Sequence, residues 1–259
     1  MLLRSLGSGV SGLKNFQTYL DVVGNNISNV STTGYKKARV NFEDLYSQQM
    51  QGATQNRNAV QIGLGAQTGS IDNIVTNSTP NQTGNPTDLA INGEGYFVVT
   101  DGTANYYTRA GDFKLNNNRE LINAQGMRVV DDNGQPLPAL PANVNVQSLT
   151  VAQNGTVQYL DANNNTQTLG TIGVTTFPNP AGLEKVGNSL FRATAASGNA
   201  NQAANNGRGT IQQGALEASN VDLTDEMTNL IEAQRAYQAN ARTITTADQV
   251  LQELVGLKR

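Results

Sequence analysis

Apolar side chains return at every seventh residue near both ends of this chain, and that periodicity limits the fold more than any other feature. Leu6, Leu13, Leu20 and Ile27 keep the stride near the N-terminus, and Val10 joins them four residues after Leu6. Phe16, Val23 and Val30 form a second track three residues behind, so one side of a helix carries a continuous apolar stripe. The spacing predicts an amphipathic helix from about residue 3 to about residue 30, stopped at Ser31-Thr32-Thr33-Gly34, where Gly34 is free to turn left-handed. Near the C-terminus Leu223, Leu230, Tyr237, Ile244 and Leu251 repeat the stride. Asp222 is placed to cap that helix, Asp225 and Glu226 put negative charge where the helix dipole favours it, and Lys258 and Arg259 stand at the opposite end. One amphipathic helix is ordinarily the core-facing side of a globular domain. Two long ones at the two ends of one chain point instead to helices that pair as a coiled coil, since closing a loop of about 190 residues adds only a logarithmic entropy term.

Between the ends the pattern changes to period two. Leu89 to Asn92, then Gly93, then Tyr96 to Val99 read as strand, Asn-Gly turn, strand. Further short apolar runs follow at Tyr106-Tyr107, Phe113 to Leu115, Leu121-Ile122, Val129-Val130 and Ile172 to Phe177, with Asn, Asp, Gly and Pro between them. Asn154-Gly155, flanked by Leu149 to Ala152 and Thr156 to Leu160, is the strongest hairpin signal. Polar stretches at residues 47–59 and 193–208 have little to bury and read as connectors. The expected fold class is α+β. Residues 1–34 and 219–259 form a discontinuous helical coiled-coil domain, 35–85 an extended connector region, 86–192 a central all-β barrel or sandwich, and 193–218 a return connector.

Composition removes whole classes of function. The chain has no Cys, His or Trp, so disulfides, thiolate metal sites and imidazole chemistry are excluded. A net charge of -3 with no block of either sign offers no basic face for nucleic acid or an anionic membrane. No apolar run approaches the roughly 20 residues of a membrane span, and Gly7, Gly9 and Gly12 break the first segment unlike a secretory signal. Hydrophobic residues at 37% and aromatics at 5% suit an extended shape or an oligomer better than a compact catalytic globule. Gly63-Leu64-Gly65-Ala66-Gln67-Thr68-Gly69 has Thr68 where a dinucleotide motif needs its third glycine, so it reads as a turn. Asp131-Asp132 precedes Asn133-Gly134 as a turn former, and Glu43-Asp44 reads as solvated chain. No catalytic residue, metal site, cofactor or small-molecule substrate is expected, and the chain reads as a structural protein and not an enzyme.

Several longer motifs carry a family resemblance. Leu20-Asp21-Val22-Val23-Gly24-Asn25-Asn26-Ile27-Ser28-Asn29-Val30-Ser31-Thr32-Thr33-Gly34-Tyr35-Lys36 closely resembles the N-terminal signature of bacterial flagellar rod and hook proteins. Asp88 to Phe97 (with Gly93 and Gly95), Tyr107 to Phe113 (with Arg109 and Gly111) and Leu121 to Met127 follow in the order that family shows. Ser219 to Glu226, including Asn220, and Ala233-Gln234-Arg235-Ala236-Tyr237 complete it, so the likeness spans essentially the whole chain. Thr243 to Gln249 and the ending Leu254 to Arg259 resemble hook protein, especially the short hook proteins of Gram-positive bacteria, with the distal rod protein as the alternative.

The resemblance implies a subunit that polymerises with copies of itself into a helical tube, the hook, a flexible joint passing torque from rod to filament, or alternatively the drive shaft of the distal rod. It implies a location in the hook or basal body, reached through the flagellar type III export apparatus without a cleaved signal. Adjacent rod, hook-cap and hook-filament junction proteins are the implied neighbours. Leu6, Val10, Leu13, Leu20, Val23, Ile27, Leu223, Leu230, Tyr237, Ile244 and Leu251 would then form the assembly core, completed only when neighbouring copies cover it. A secreted coiled-coil adhesin is the remote alternative.

Overall fold

A computed structural model of the chain describes residues 2–46, 48–51, 60–142, 144, 148–161, 165–201 and 208–256. The protein is α+β and divides into two compact units. One comprises Met1–Ser28, Ala38–Ile74 and Val221–Arg259, and the other Asn29–Lys37 and Val75–Asn220. Of the stretches read as polar connectors, residues 47, 52–59 and 202–207 lie outside the described residues, as do Lys258 and Arg259.

The helical unit holds α1 (Leu2–Ser28), β1 (Ala38–Asp44), β2 (Gln48–Gln51), β3 (Val60–Ile62), β4 (Ala66–Asn73) and α2 (Leu223–Gly256). The two helices pack on each other, and α1 also packs on β1 and β4. β1 pairs antiparallel with β4, and β2 with β3. Phe42 of β1 stacks obliquely on Phe16 and edge-on to Tyr19, which holds the ribbon to α1. Asp222 caps α2 as its position predicts, its Oδ1 accepting from the Thr224 N–H at 2.8 Å and the Asp225 N–H at 3.4 Å.

The β unit begins with β5 (Pro80–Gln82), β6 (Leu89–Asn92), β7 (Tyr96–Thr100), β8 (Asn105–Thr108), β9 (Lys114–Leu115), β10 (Leu121–Ile122) and β11 (Arg128–Val129). It continues with β12 (Thr150–Val151), β13 (Thr156–Leu160), β14 (Thr166–Thr171), β15 (Val174–Thr175), β16 (Glu184–Gly187), β17 (Leu190–Arg192), β18 (Thr210–Gln213) and β19 (Ala215–Glu217). The largest sheet runs β16-β17-β8-β7-β11-β10-β9, with β15 also on β7. β12, β13 and β14 form a meander, while β18 pairs β6 and β19 pairs β5.

All five residues of β7 are buried, and alternation along the strand splits its four apolar residues between two cores. Phe97 and Val99 face Phe113, Leu121, Val129, Val157 and Ile172, whereas Tyr96 and Val98 face Tyr107, Val130, Phe177, Leu183 and Phe191. Each large apolar side chain buried in this way contributes about 1.5 to 3 kcal/mol. The few aromatic residues are concentrated here and meet edge to face, Tyr107 on Phe177 at 4.8 Å and Phe97 on Phe113 at 5.2 Å between ring centroids.

The Asn154-Gly155 hairpin forms as its sequence predicts, pairing Val151 with Val157 around Gly155 at φ 89°. The Asn92-Gly93 site separates two strands but does not pair them. β6 pairs with β18, bringing Ile91 opposite Ile211. Gly93 (φ 111°) and Gly95 (φ 135°) carry the chain on from β6 into β7, which takes β8, β11 and β15 as its partners.

Candidate assembly surface

In the helical unit the line of α2 that is most covered is not its leucine ladder. Glu226, Ala233 and Ala247 are the buried residues of α2, and Asn240 continues their stride of seven half-buried. Glycines on α1 allow the helices to approach: a Cβ on Gly12 would lie 2.9 Å from Asn240 Nδ2, and one on Gly9 3.1 Å from Ile244 Cγ1. The larger residues therefore flank the contact. Val23 is buried, Leu6, Leu13, Leu20, Ile27, Leu230, Ile244 and Leu251 are half-buried, and Val10, Leu223 and Tyr237 are exposed. Met227 and Ile231, one turn apart on α2, stand 49% and 52% exposed, and Leu254 near the helix end 51%, so α2 leaves apolar side chains uncovered.

Asn26 explains one motif position physically. Its Oδ1 accepts from the Ala38 N–H at 3.0 Å and its Nδ2 donates to the Ala38 carbonyl at 2.9 Å, so the side-chain amide imitates a neighbouring strand at the start of β1. The same Nδ2 donates to the buried Glu226 carboxylate at 3.2 Å. Burial, helped by Glu226 and Glu232, raises the nearby Tyr19 phenol. Asn25, Gln234 and Arg235 are exposed.

In the β unit Lys36 and Arg109, both in the motif segments, converge on one buried carboxylate. Glu217 Oε1 accepts from Lys36 Nζ at 2.6 Å and its Oε2 from Arg109 Nη1 at 3.2 Å, with all three side chains at most 1% exposed. Lys36 also donates to the Thr76 carbonyl at 2.7 Å, and Arg109 Nη2 to the Gly93 carbonyl at 2.9 Å. Burial lowers the Lys36 ammonium pKa, with Glu217 opposing that shift. Asn220 holds the same segment, accepting from the Lys37 N–H at 2.7 Å and donating to Thr76 Oγ1 at 3.0 Å.

Residues 29–37, following α1, are thus fastened into the β unit, where Asn29 accepts from the Thr32 hydroxyl at 3.0 Å. Gly34 fits there because a Cβ would sit 2.6 Å from the Ala110 nitrogen, and its φ of 66° is left-handed as expected. Gly111 allows the closest approach of all, with a Cβ only 1.7 Å from the Leu89 carbonyl oxygen. Gly95 is likewise crowded, by Val174.

Glu217 was missed in the sequence. The available signal was its place two residues after Ala215 on the covered face of β19, a position at which a carboxylate requires a cation. The features dismissed as chemistry are structural where described. Gly65 (φ 116°) turns the chain into β4. Glu43 and Asp44 end β1, and Asp131 Oδ1 accepts from the Asn133 and Gln135 N–H groups, both at 2.9 Å. Among the described residues no helix is long and apolar enough to cross a membrane.

Three family models match in order along the chain. Residues 6–36 match the flagella basal body rod protein family, residues 90–159 the D1 domain of flagellar hook protein FlgE/F/G, and residues 212–257 the C-terminal region of flagellar basal body rod FlgEFG proteins. Each matched segment supplies one member of the Lys36, Arg109, Glu217 cluster. The flagellar basal-body rod protein FlgG of Bacillus subtilis (strain 168) is 47% identical over the full length of both chains. The FlgG of Caulobacter vibrioides is 38% identical over 96% of this chain and 97% of its own. The flagellar hook protein FlgE of Borreliella burgdorferi is 27% identical over 441 aligned positions, covering 99% of this chain and all of the relative. With full-length relatives and matched segments at both ends and in the middle, the chain belongs to the flagellar basal-body rod and hook protein family and is a structural subunit of the flagellum.

Proposed function

We propose that this chain is a distal-rod subunit, which assembles with copies of itself into a tubular shaft. The observation that carries this reading is the full-length match at 47% identity to a protein named for the basal-body rod, against 27% for the hook relative. The preference for hook drawn from Thr243 to Gln249 and the chain ending therefore gives way to the rod. Within residues 1–34 and 219–259, α1 and α2 act as the helical domain, working as a coiled coil whose ladder from Leu6 to Leu251 is completed by neighbouring copies. The uncovered apolar residues Met227, Ile231 and Leu254 support this role. Residues 86–192 serve as the barrel-like domain, with 35–85 and 193–218 carrying the chain between it and the helices, the part at Ala38–Ile74 packed within the helical unit. The chain reaches its place through the flagellar type III export apparatus and meets adjacent rod and hook proteins. Its end segments order as neighbours bury them, the gain from covered apolar area offsetting the ordering entropy.

Electron microscopy of basal bodies from cells lacking the gene tests the assignment. A truncated rod is the expected result. A complete rod that lacks only the hook would overturn it in favour of the hook.

A further inference from the structure

We propose that the cavity beside Tyr96 and Arg109 in the β unit is a receptor for a carboxylate on a short apolar stem. The cavity holds about 300 Å³ and is walled on its apolar side by Val75, Phe177 and Pro180. Arg109 and Tyr96 line it and are each 1% exposed. Two of their polar atoms, Arg109 Nε and Tyr96 Oη, have no hydrogen-bond partner, although buried polar groups are almost always paired.

The rest of the Arg109 guanidinium is occupied. Nη1 donates to Glu217, and Nη2 to the Gly93 carbonyl and, at 3.4 Å, to Asn77 Oδ1. What remains is a cationic N–H, and the second unpartnered donor, the Tyr96 O–H, belongs to a residue that lines the same cavity. The guanidinium carbon lies 5.4 Å from the Tyr96 ring centroid. The buried cluster carries two cations, Lys36 and Arg109, against the single carboxylate of Glu217, so it has an excess positive charge. A carboxylate entering the cavity accepts from both unpartnered donors, balances that charge, and lays its stem against Phe177. Glu94 also lines the cavity but is exposed, and its negative charge opposes an incoming anion. That opposition gives the proposal a sign that can be tested.

The probe is propionate, titrated into isotope-labelled full-length protein while the Arg109 Nε–H resonance is followed by NMR, with propionamide as the neutral analogue. The expected result is a saturable shift with propionate and binding at least about tenfold weaker with propionamide, because charge-assisted hydrogen bonds are roughly twice as strong as neutral ones. Glu94→Gln tightens propionate binding, and Tyr96→Phe weakens it about five- to tenfold. Both variants remain folded, since Glu94 is on the surface and Tyr96 Oη bonds nothing in the fold, and the same spectra check this. If neither the native protein nor Glu94→Gln shows a saturable shift, or if Glu94→Gln weakens binding, the site is overturned. In assembled filaments, an Nε–H resonance already at the propionate-bound position and unresponsive to propionate assigns the carboxylate to a neighbouring copy. A resonance that still responds assigns it to a free small acid.

Discussion

Lys36 Nζ meets Glu217 Oε1 at 2.6 Å, although 181 residues separate them in the chain. Glu217 ends β19, four residues before the start of the segment that carries α2, while Lys36 belongs to the stretch that follows α1. The pair therefore ties together, within the β unit, the chain on the β-unit side of two of the four places where it passes between the units, after Lys37 and after Asn220. Because both groups are buried, the Lys36 ammonium depends on Glu217 for its counter-charge, whereas Glu217 also has Arg109.

Removing the carboxylate should harm the β unit more than removing the ammonium. Glu217→Gln leaves Lys36 and Arg109 as two buried cations and is expected to cost about 3 to 5 kcal/mol. Lys36→Met leaves the charge-balanced Arg109 and Glu217 pair and is expected to cost less, about 1 to 3 kcal/mol. Urea unfolding followed by tyrosine fluorescence ranks the two, the chain having no Trp. Equal losses would contradict the charge argument.

Two glycines of the β unit should behave in opposite ways. Gly111→Ala drives a methyl into the Leu89 carbonyl and is expected to prevent folding of the unit. Gly126→Ala meets open space and strains only its φ of 82°, so it should cost about 1 to 2 kcal/mol. Thermal unfolding of the purified variants distinguishes them.

An exposed turn should loosen in acid. Asp101 accepts from the Ala104 and Thr103 N–H groups and the Thr103 hydroxyl, which hold its carboxyl down from 3.8 to about 2. A carboxyl depressed in the folded state contributes stability above its ordinary value and loses it as pH falls through the folded one. Exchange protection at the Thr103 and Ala104 amides should therefore fall between about pH 4 and about pH 2, and should already be reduced at neutral pH in Asp101→Ala.

Much of this architecture was legible in the sequence because it depends on local chemistry. The stride of Leu6 to Ile27 and of Leu223 to Leu251 gives the helices, Asp222 the start of α2, and Asn154-Gly155 a hairpin. What escaped depends on partners distant in the chain. The pairing of β6 with β18 is set by contacts across more than a hundred residues, which no turn motif specifies. The line of closest helix contact runs through Gly12 and Asn240, small and polar residues with no hydrophobic signal. Glu217 looked like one acidic residue among many until the fold set it between Lys36 and Arg109.

The central claim is that the apolar face left open on the terminal helices is covered by further copies of the chain. Sedimentation of the full-length protein against Ile231→Asp, over a range of concentration, tests it most directly. The native chain should form long assemblies above a threshold concentration, while the variant stays monomeric with the β-unit NMR spectrum intact. Assembly of the variant at the same threshold, or a native chain that stays monomeric at every concentration with both helices fully ordered, would contradict it.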